Sequence, residues 1–157
     1  MLSDQVKDLA NRSVLCWLAT VDAKGQPNVS PKEIFLVFDD EHLVIANIAS
    51  PTSVRNVEQN ANVCVSFVDV FVQKGFKVIG SARNFTKQDA DYARWAAPLE
   101  AKAGPRFPIR SVLVVRAVRV EPIVAPSYRL FPDETTERSQ IDSALRTYGV
   151  RPASGDA

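Results

Sequence analysis

The stretch Ser50-Pro51-Thr52-Ser53-Val54-Arg55-Asn56 gathers hydroxyls and a guanidinium within about one helical turn. Serine followed by proline marks a helix start, because proline fits the first helical position. Backbone N–H groups at such a start favour negative charge, and short donors with a fixed cation add to that preference. The motif alone leaves two readings open: an anion site, or simple capping by Ser50 with Arg55 in solvent. Two further polar interruptions bear on the choice. Ser30-Pro31-Lys32 breaks an otherwise strand-like segment, and Gln73-Lys74-Gly75 directly precedes another. Each alone reads as a loop. Together with the helix start they would set two lysines and an amide around one pocket, sized for a single phosphate.

Other chemistries are poorly supplied. His42 is the only histidine, and it opens a strand after the acidic turn Asp39-Asp40-Glu41. A nucleophile–histidine arrangement would have to use it, yet it reads as a strand-edge residue. Cys16 and Cys64 lie far apart among apolar residues, which suggests buried reduced thiols and offers no metal spacing. The acidic turn reads as solvated, and Asp133, Glu134 and Glu137 as acids at a helix start. The 6 glycines form neither a Walker loop nor a GxGxxG motif. Lys+Arg minus Asp+Glu is 19 − 18 = +1, so the chain lacks the broad basic field of a nucleic-acid binder. With 157 residues, 46% hydrophobic and 24% charged, it reads as one globular domain. No apolar run approaches the roughly 18 residues of a membrane span. The opening Met1-Leu2-Ser3-Asp4-Gln5 has acid and amide where a signal peptide would be apolar. The expectation is a cytoplasmic chain with no membrane and no nucleic-acid partner.

The elements that must position these residues follow from periodicity. Residues 3–11 read as a helix capped by Ser3, with Val6, Leu9 and Ala10 on one face. Strands are expected over about 14–21, 28–38, 42–48, 62–70, 76–84 and 110–120, the first three forming a meander. Pro31 confines its part of the second strand to an edge or a bulge. Helices are expected over 51–60, from Thr86 to about 100 or 102 with a bend at Pro98, and over about 134–148 with Gly149 as the stop. Thr86-Lys87-Gln88-Asp89 resembles a capping box for the second of these. The fold expected is mainly β, a six-stranded antiparallel barrel with peripheral helices. One domain covers 1–149 and a polar tail covers 150–157.

The order of these motifs resembles the pyridoxamine 5′-phosphate oxidase-like family, the FMN-binding split barrels. The resemblance covers about 14–85, and more loosely extends to 120. It rests on Leu18-Ala19-Thr20-Val21-Asp22, on Gly25-Gln26-Pro27-Asn28-Val29-Ser30-Pro31-Lys32 and on Leu43-Val44-Ile45-Ala46-Asn47. Ser53-Val54-Arg55-Asn56 and Phe76-Lys77-Val78-Ile79-Gly80-Ser81-Ala82 continue it. Pro132-Asp133-Glu134 and Tyr148-Gly149-Val150 look like a branch of small flavin-binding proteins in that family.

This resemblance implies a six-stranded split β-barrel that forms a homodimer with FMN between the subunits. It assigns the phosphate to Thr52, Ser53, Arg55 and Asn56. It assigns the ring edge to Val29, Ser30, Pro31, Lys32, Ala46 and Asn47, and a reaching loop to Gln73, Lys74 and Gly75. The implied function is an FMN-dependent oxidoreductase or electron-transfer protein, working with NAD(P)H or a small redox partner. The alternative is a non-catalytic module that binds or carries FMN, a deazaflavin or haem. True pyridoxamine phosphate oxidases end in a basic and aromatic substrate segment, whereas this chain ends in a helix and a polar tail. That departure argues against vitamin B6 oxidation, and the lone His42 argues against axial haem ligation. Tyr92 with Trp95, and Tyr128 with Phe131, read either as packing or as lids over the ring.

Overall fold

The computed structural model describes residues 2–152; of the tail expected over 150–157, residues 153–157 lie outside the described residues. The chain opens with α1 (Asp4–Arg12), whose apolar face is Val6, Leu9 and Ala10 as the spacing predicts. Ser3 precedes it without making a side-chain cap. Then come β1 (Cys16–Val21), β2 (Pro27–Lys32), β3 (Phe35–Val37), β4 (His42–Asn47) and α2 (Pro51–Gln59). They are followed by β5 (Asn62–Asp69), β6 (Lys74–Thr86), α3 (Tyr92–Ala103) and β7 (Ser111–Val124). Two helices close the chain, α4 (Ser127–Leu130) and α5 (Glu137–Tyr148).

All strand pairs are antiparallel, in one seven-stranded sheet ordered β2-β1-β5-β6-β7-β4-β3. Seven strands replace the six expected, because the segment 28–38 is two strands. Lys32 and Phe35 are both buried while Glu33 between them is exposed. A strand repeats every two residues, so burial three apart forces a break. The break also undoes the expected meander. The β1–β2 hairpin lies at one end of the sheet and the β3–β4 hairpin at the other, joined only through Glu33 and Ile34. The sheet curls between these ends without a ladder between β2 and β3. Pro31 sits on the edge strand β2, as its missing N–H requires.

Two apolar clusters hold the sheet. One is framed by α1 and α2 and contains Leu18, Phe35, Leu43, Ile45, Phe67 and Leu113. The other lies under α3 and contains Val44, Phe85, Trp95, Leu99, Val112 and Val114. Strands β4 and β7 supply alternate residues to both clusters, which explains why 43–46 and 112–115 read as unbroken apolar runs. Gly80 lies at a register shift of the β6–β7 ladder; a Cβ there would stand 2.2 Å from the carbonyl oxygen of Arg116.

Two helix boundaries differ from expectation, and one helix is additional. Asp89 accepts hydrogen bonds from the Thr86 backbone N–H (2.8 Å) and the Thr86 hydroxyl (2.9 Å), which closes a turn instead of capping a helix. Helix α3 therefore starts at Tyr92, and it runs on through Pro98. Helix α5 starts at Glu137, not near 134, because Thr136 and Ser139 form a reciprocal capping box. Gly149, left-handed at φ 65°, ends it. The short α4 lies where the sequence suggested only a loop.

Candidate functional site

The ends of β2 and β4 meet the start of α2, and polar residues tie them together. Thr20 on β1 is buried, and its hydroxyl oxygen accepts from the side-chain amides of Asn28 (3.2 Å) and Asn56 (3.0 Å). Ser30 and Ser53 share a hydroxyl–hydroxyl hydrogen bond of 3.0 Å. Ser53 and Asn56 are themselves buried. Two of the four residues expected at the phosphate thus bolt α2 onto the sheet. Thr52 and Arg55 face solvent, with a guanidinium nitrogen 3.5 Å from the Thr52 hydroxyl.

Asn47 is a second junction. Its side-chain oxygen accepts from the Ser50 N–H (3.1 Å), and its amide donates to the Ser111 hydroxyl (2.8 Å). This fixes the start of α2 against the end of β4 and the start of β7. Ser50 does not cap α2 with its side chain. Its hydroxyl instead receives the ammonium of Lys32.

Lys32 is the unusual residue of the site. It is only 5% exposed, and no carboxylate pairs with it among the described residues. Its register partner across the β1–β2 ladder is Cys16. Burial lowers the lysine pKa from its usual 10.5. Burial likewise pushes the Cys16 thiol up to about 12. The thiol is therefore neutral near pH 7 and supplies no counter-charge.

Two adjoining clefts flank Ser50 and Ile48. The first, about 150 Å³, is lined by Pro31, Lys32, Glu33, Ala46 and Phe107 among others. The second, about 270 Å³, is lined by Asn47, Pro51, Arg55, Glu58 and Arg110 among others. Together they hold three cations against two acids, and the first turn of α2 carries no acid. Such a donor set suits an anion.

The remaining expected residues divide. Ser30 and Lys32 face inward on β2, while Val29 and Pro31 lie on the outer face with Trp17. Pro31 reaches the first cleft, and Val29 lines neither. Gln73, Lys74 and Gly75 also line neither cleft. Gln73 adopts φ 55° in the β5–β6 turn. Lys74 pairs with Glu137 at 2.8 Å and stands 4.6 Å over the Tyr128 ring. Gly75 packs so tightly that a Cβ would stand 2.0 Å from the Phe67 carbonyl oxygen. Tyr92 and Trp95 are buried on the inner face of α3, which favours packing over a lid. Tyr128 donates to the Val72 carbonyl oxygen (2.9 Å). His42 holds Asp39 through Nδ1 (2.9 Å), lies 5.3 Å from the Trp95 ring and lines neither cleft. Sequence reasoning missed Phe107 and Arg110, because their neighbours at the site are distant in the chain, and it also missed Glu58, which stands only a turn beyond Arg55 on α2.

Comparison with known proteins adds context. A family model described as pyridoxamine 5′-phosphate oxidase matches residues 2–123. No curated protein matches. Among solved structures, HupZ of Group A Streptococcus is 28% identical, with a TM-score of 0.66 over 76% of this chain and 92% of that one. An FMN-binding protein from Syntrophomonas wolfei has the same fold at 16% identity, with a TM-score of 0.66 over 79% and 87%. HutZ, the heme storage protein of Vibrio cholerae, does so at 19% identity, with a TM-score of 0.62 over 78% and 94%.

Proposed function

The chain belongs to the pyridoxamine 5′-phosphate oxidase-like family of FMN-binding split barrels, and from that we propose that it is a non-catalytic module that binds and carries FMN. The observation that carries this reading is Lys32, a buried ammonium that opens on a cleft and has a hydroxyl partner but no carboxylate. An uncompensated buried cation costs several kcal/mol, which an anionic ligand would offset. Thr52 and Arg55 at the start of α2 would hold the phosphate. Ser53 and Asn56 would act indirectly, by fixing α2 on the sheet. Ser30, Pro31, Ala46 and Asn47 would border the ring, and Lys32 would neutralise its charge. Bound FMN would supply one- and two-electron redox chemistry.

Carriage is preferred to turnover for two reasons. The clefts contain no histidine or cysteine to move a proton at neutral pH. The fold also serves storage in HutZ, described as a heme storage protein. Haem itself suits this chain less well, since its one histidine is engaged with Asp39 outside both clefts. In the proposed assembly two chains form a homodimer with FMN between them. Gln73, Lys74 and Gly75 would then come from the second copy.

The test is an absorption spectrum of purified protein before and after addition of FMN and desalting. Retained flavin bands support the reading, and protein that keeps no flavin overturns it. A Soret band on addition of hemin, with no flavin retained, would favour haem. Steady-state oxidation of NADH or NADPH by the FMN-loaded protein would replace carriage with an oxidoreductase.

A further inference from the structure

We propose that Arg110 is the second guanidinium of the phosphate site and makes it select a phosphomonoester dianion over the neutral alcohol. This rests on the FMN reading above. Arg110 and Arg55 line the same cleft of about 270 Å³, and neither forms an ion pair among the described residues. Glu58 is the one acid in that lining, a turn beyond Arg55 on α2, and it pairs with neither arginine.

The root of Arg110 is fixed without any ligand. Its backbone N–H donates to the Asn47 carbonyl oxygen at 2.9 Å. The Asn47 side chain, itself buried, holds Ser111 on one side and the Ser50 N–H on the other. The two guanidinium-bearing segments are thereby locked to one junction, and the arginines approach the cleft from different elements. Two like charges facing one cleft repel, and a shared anion relieves that repulsion. A phosphomonoester carries about −1.5 to −2 near pH 7, with its second pKa near 6. That charge can engage two guanidiniums, whereas a neutral hydroxyl gains little from either.

The experiment titrates FMN and riboflavin, by flavin fluorescence, into wild type, Arg110→Gln and Arg110→Lys between pH 5 and 8. Arg110 is exposed, so thermal melts of the variants should match wild type. Arg110→Gln is expected to weaken FMN about tenfold or more, the worth of a charge-assisted hydrogen bond, with riboflavin unchanged. Wild-type affinity for FMN should rise as pH passes the second phosphate pKa, and Arg110→Gln should flatten that rise. Arg110→Lys should recover part of the loss, since it keeps the charge without the fork. Equal weakening of FMN and riboflavin, or no change in either, overturns the proposal while leaving FMN binding in place. If wild type binds no FMN, the functional reading fails, and inorganic phosphate titrated by calorimetry then decides on Arg110. Phosphate binding lost in Arg110→Gln upholds the clamp, and phosphate binding absent from wild type or unchanged in the variant overturns it.

Discussion

Lys32 and Cys16 face one another across the β1–β2 ladder and pull stability in opposite directions as pH rises. The lysine pKa is lowered by burial. Below that lowered value both native and unfolded chains are protonated, and the native state bears the full penalty. As pH rises from there towards 10.5, the unfolded chain binds more protons, so the penalty is relieved and stability rises. The thiol behaves conversely, with its pKa raised by burial from 9.0 to about 12. Across that window the unfolded chain has lost a proton that the native chain keeps, so stability falls. Lys32→Met should therefore stabilise the ligand-free protein at pH 7 while weakening FMN about tenfold, on the scale of one charged contact. In this variant the alkaline loss should begin near pH 9 without the opposing rise, as urea unfolding between pH 7 and 11 would report. A ligand-free variant less stable than wild type at pH 7 would show that the ammonium is not a burden. Thiol titration at pH 8 gives a separate check: Cys64, half-buried, should react before Cys16, which should wait for unfolding. At this scale Lys32 was legible as a polar break in a strand. Arg110 was not, because its cleft partner Arg55 is 55 residues away in the chain.

At the scale of elements, apolar alternation recovered most strands, while side-chain chemistry decided the boundaries. The segment 28–38 looked continuous because its apolar end, Ile34 to Phe38, hides the change of face between Lys32 and Phe35. Residues 86–89 carry the letters of a capping box, yet Asp89 turns back on Thr86 and the helix begins three residues later. Helix α2 was legible from Ser50-Pro51, but what seats it was not. Its seat is the amide–hydroxyl cluster of Thr20, Asn28, Ser30, Ser53 and Asn56, assembled from three elements. Thr20→Val keeps the side-chain shape and removes the acceptor for two amides, one of them on the buried Asn56. A buried donor left without a partner costs about 1–3 kcal/mol. The midpoint of urea unfolding should fall accordingly, and FMN affinity should fall with it because α2 carries Thr52 and Arg55. An unchanged midpoint would mean that the cluster does not hold α2.

At the scale of the molecule, the outer face of β1 and the β5–β6 turn carry apolar groups that the single chain leaves uncovered. Trp17 is 45% exposed and Phe71 37%, and with Val14, Leu15 and Val70 they line one cleft of about 290 Å³. Contiguous exposed apolar surface of this kind suits the face on which the proposed homodimer would dock. Phe71 lies in the turn that also holds Gln73, and Lys74 follows at the start of β6. A second copy docked on this face would therefore be offered the three residues that lie outside both clefts of their own chain. In the proposed assembly, dimerisation and flavin affinity would then be linked. The double change Trp17→Glu and Phe71→Glu puts charge on exposed positions, so folding should survive while the interface does not. Sedimentation of the variant at micromolar concentration should give a monomer, and its FMN affinity should drop below wild type. A monomer that binds FMN as tightly as wild type would place the whole site in one chain and remove Gln73, Lys74 and Gly75 from it. A variant that stays dimeric would move the interface to another face.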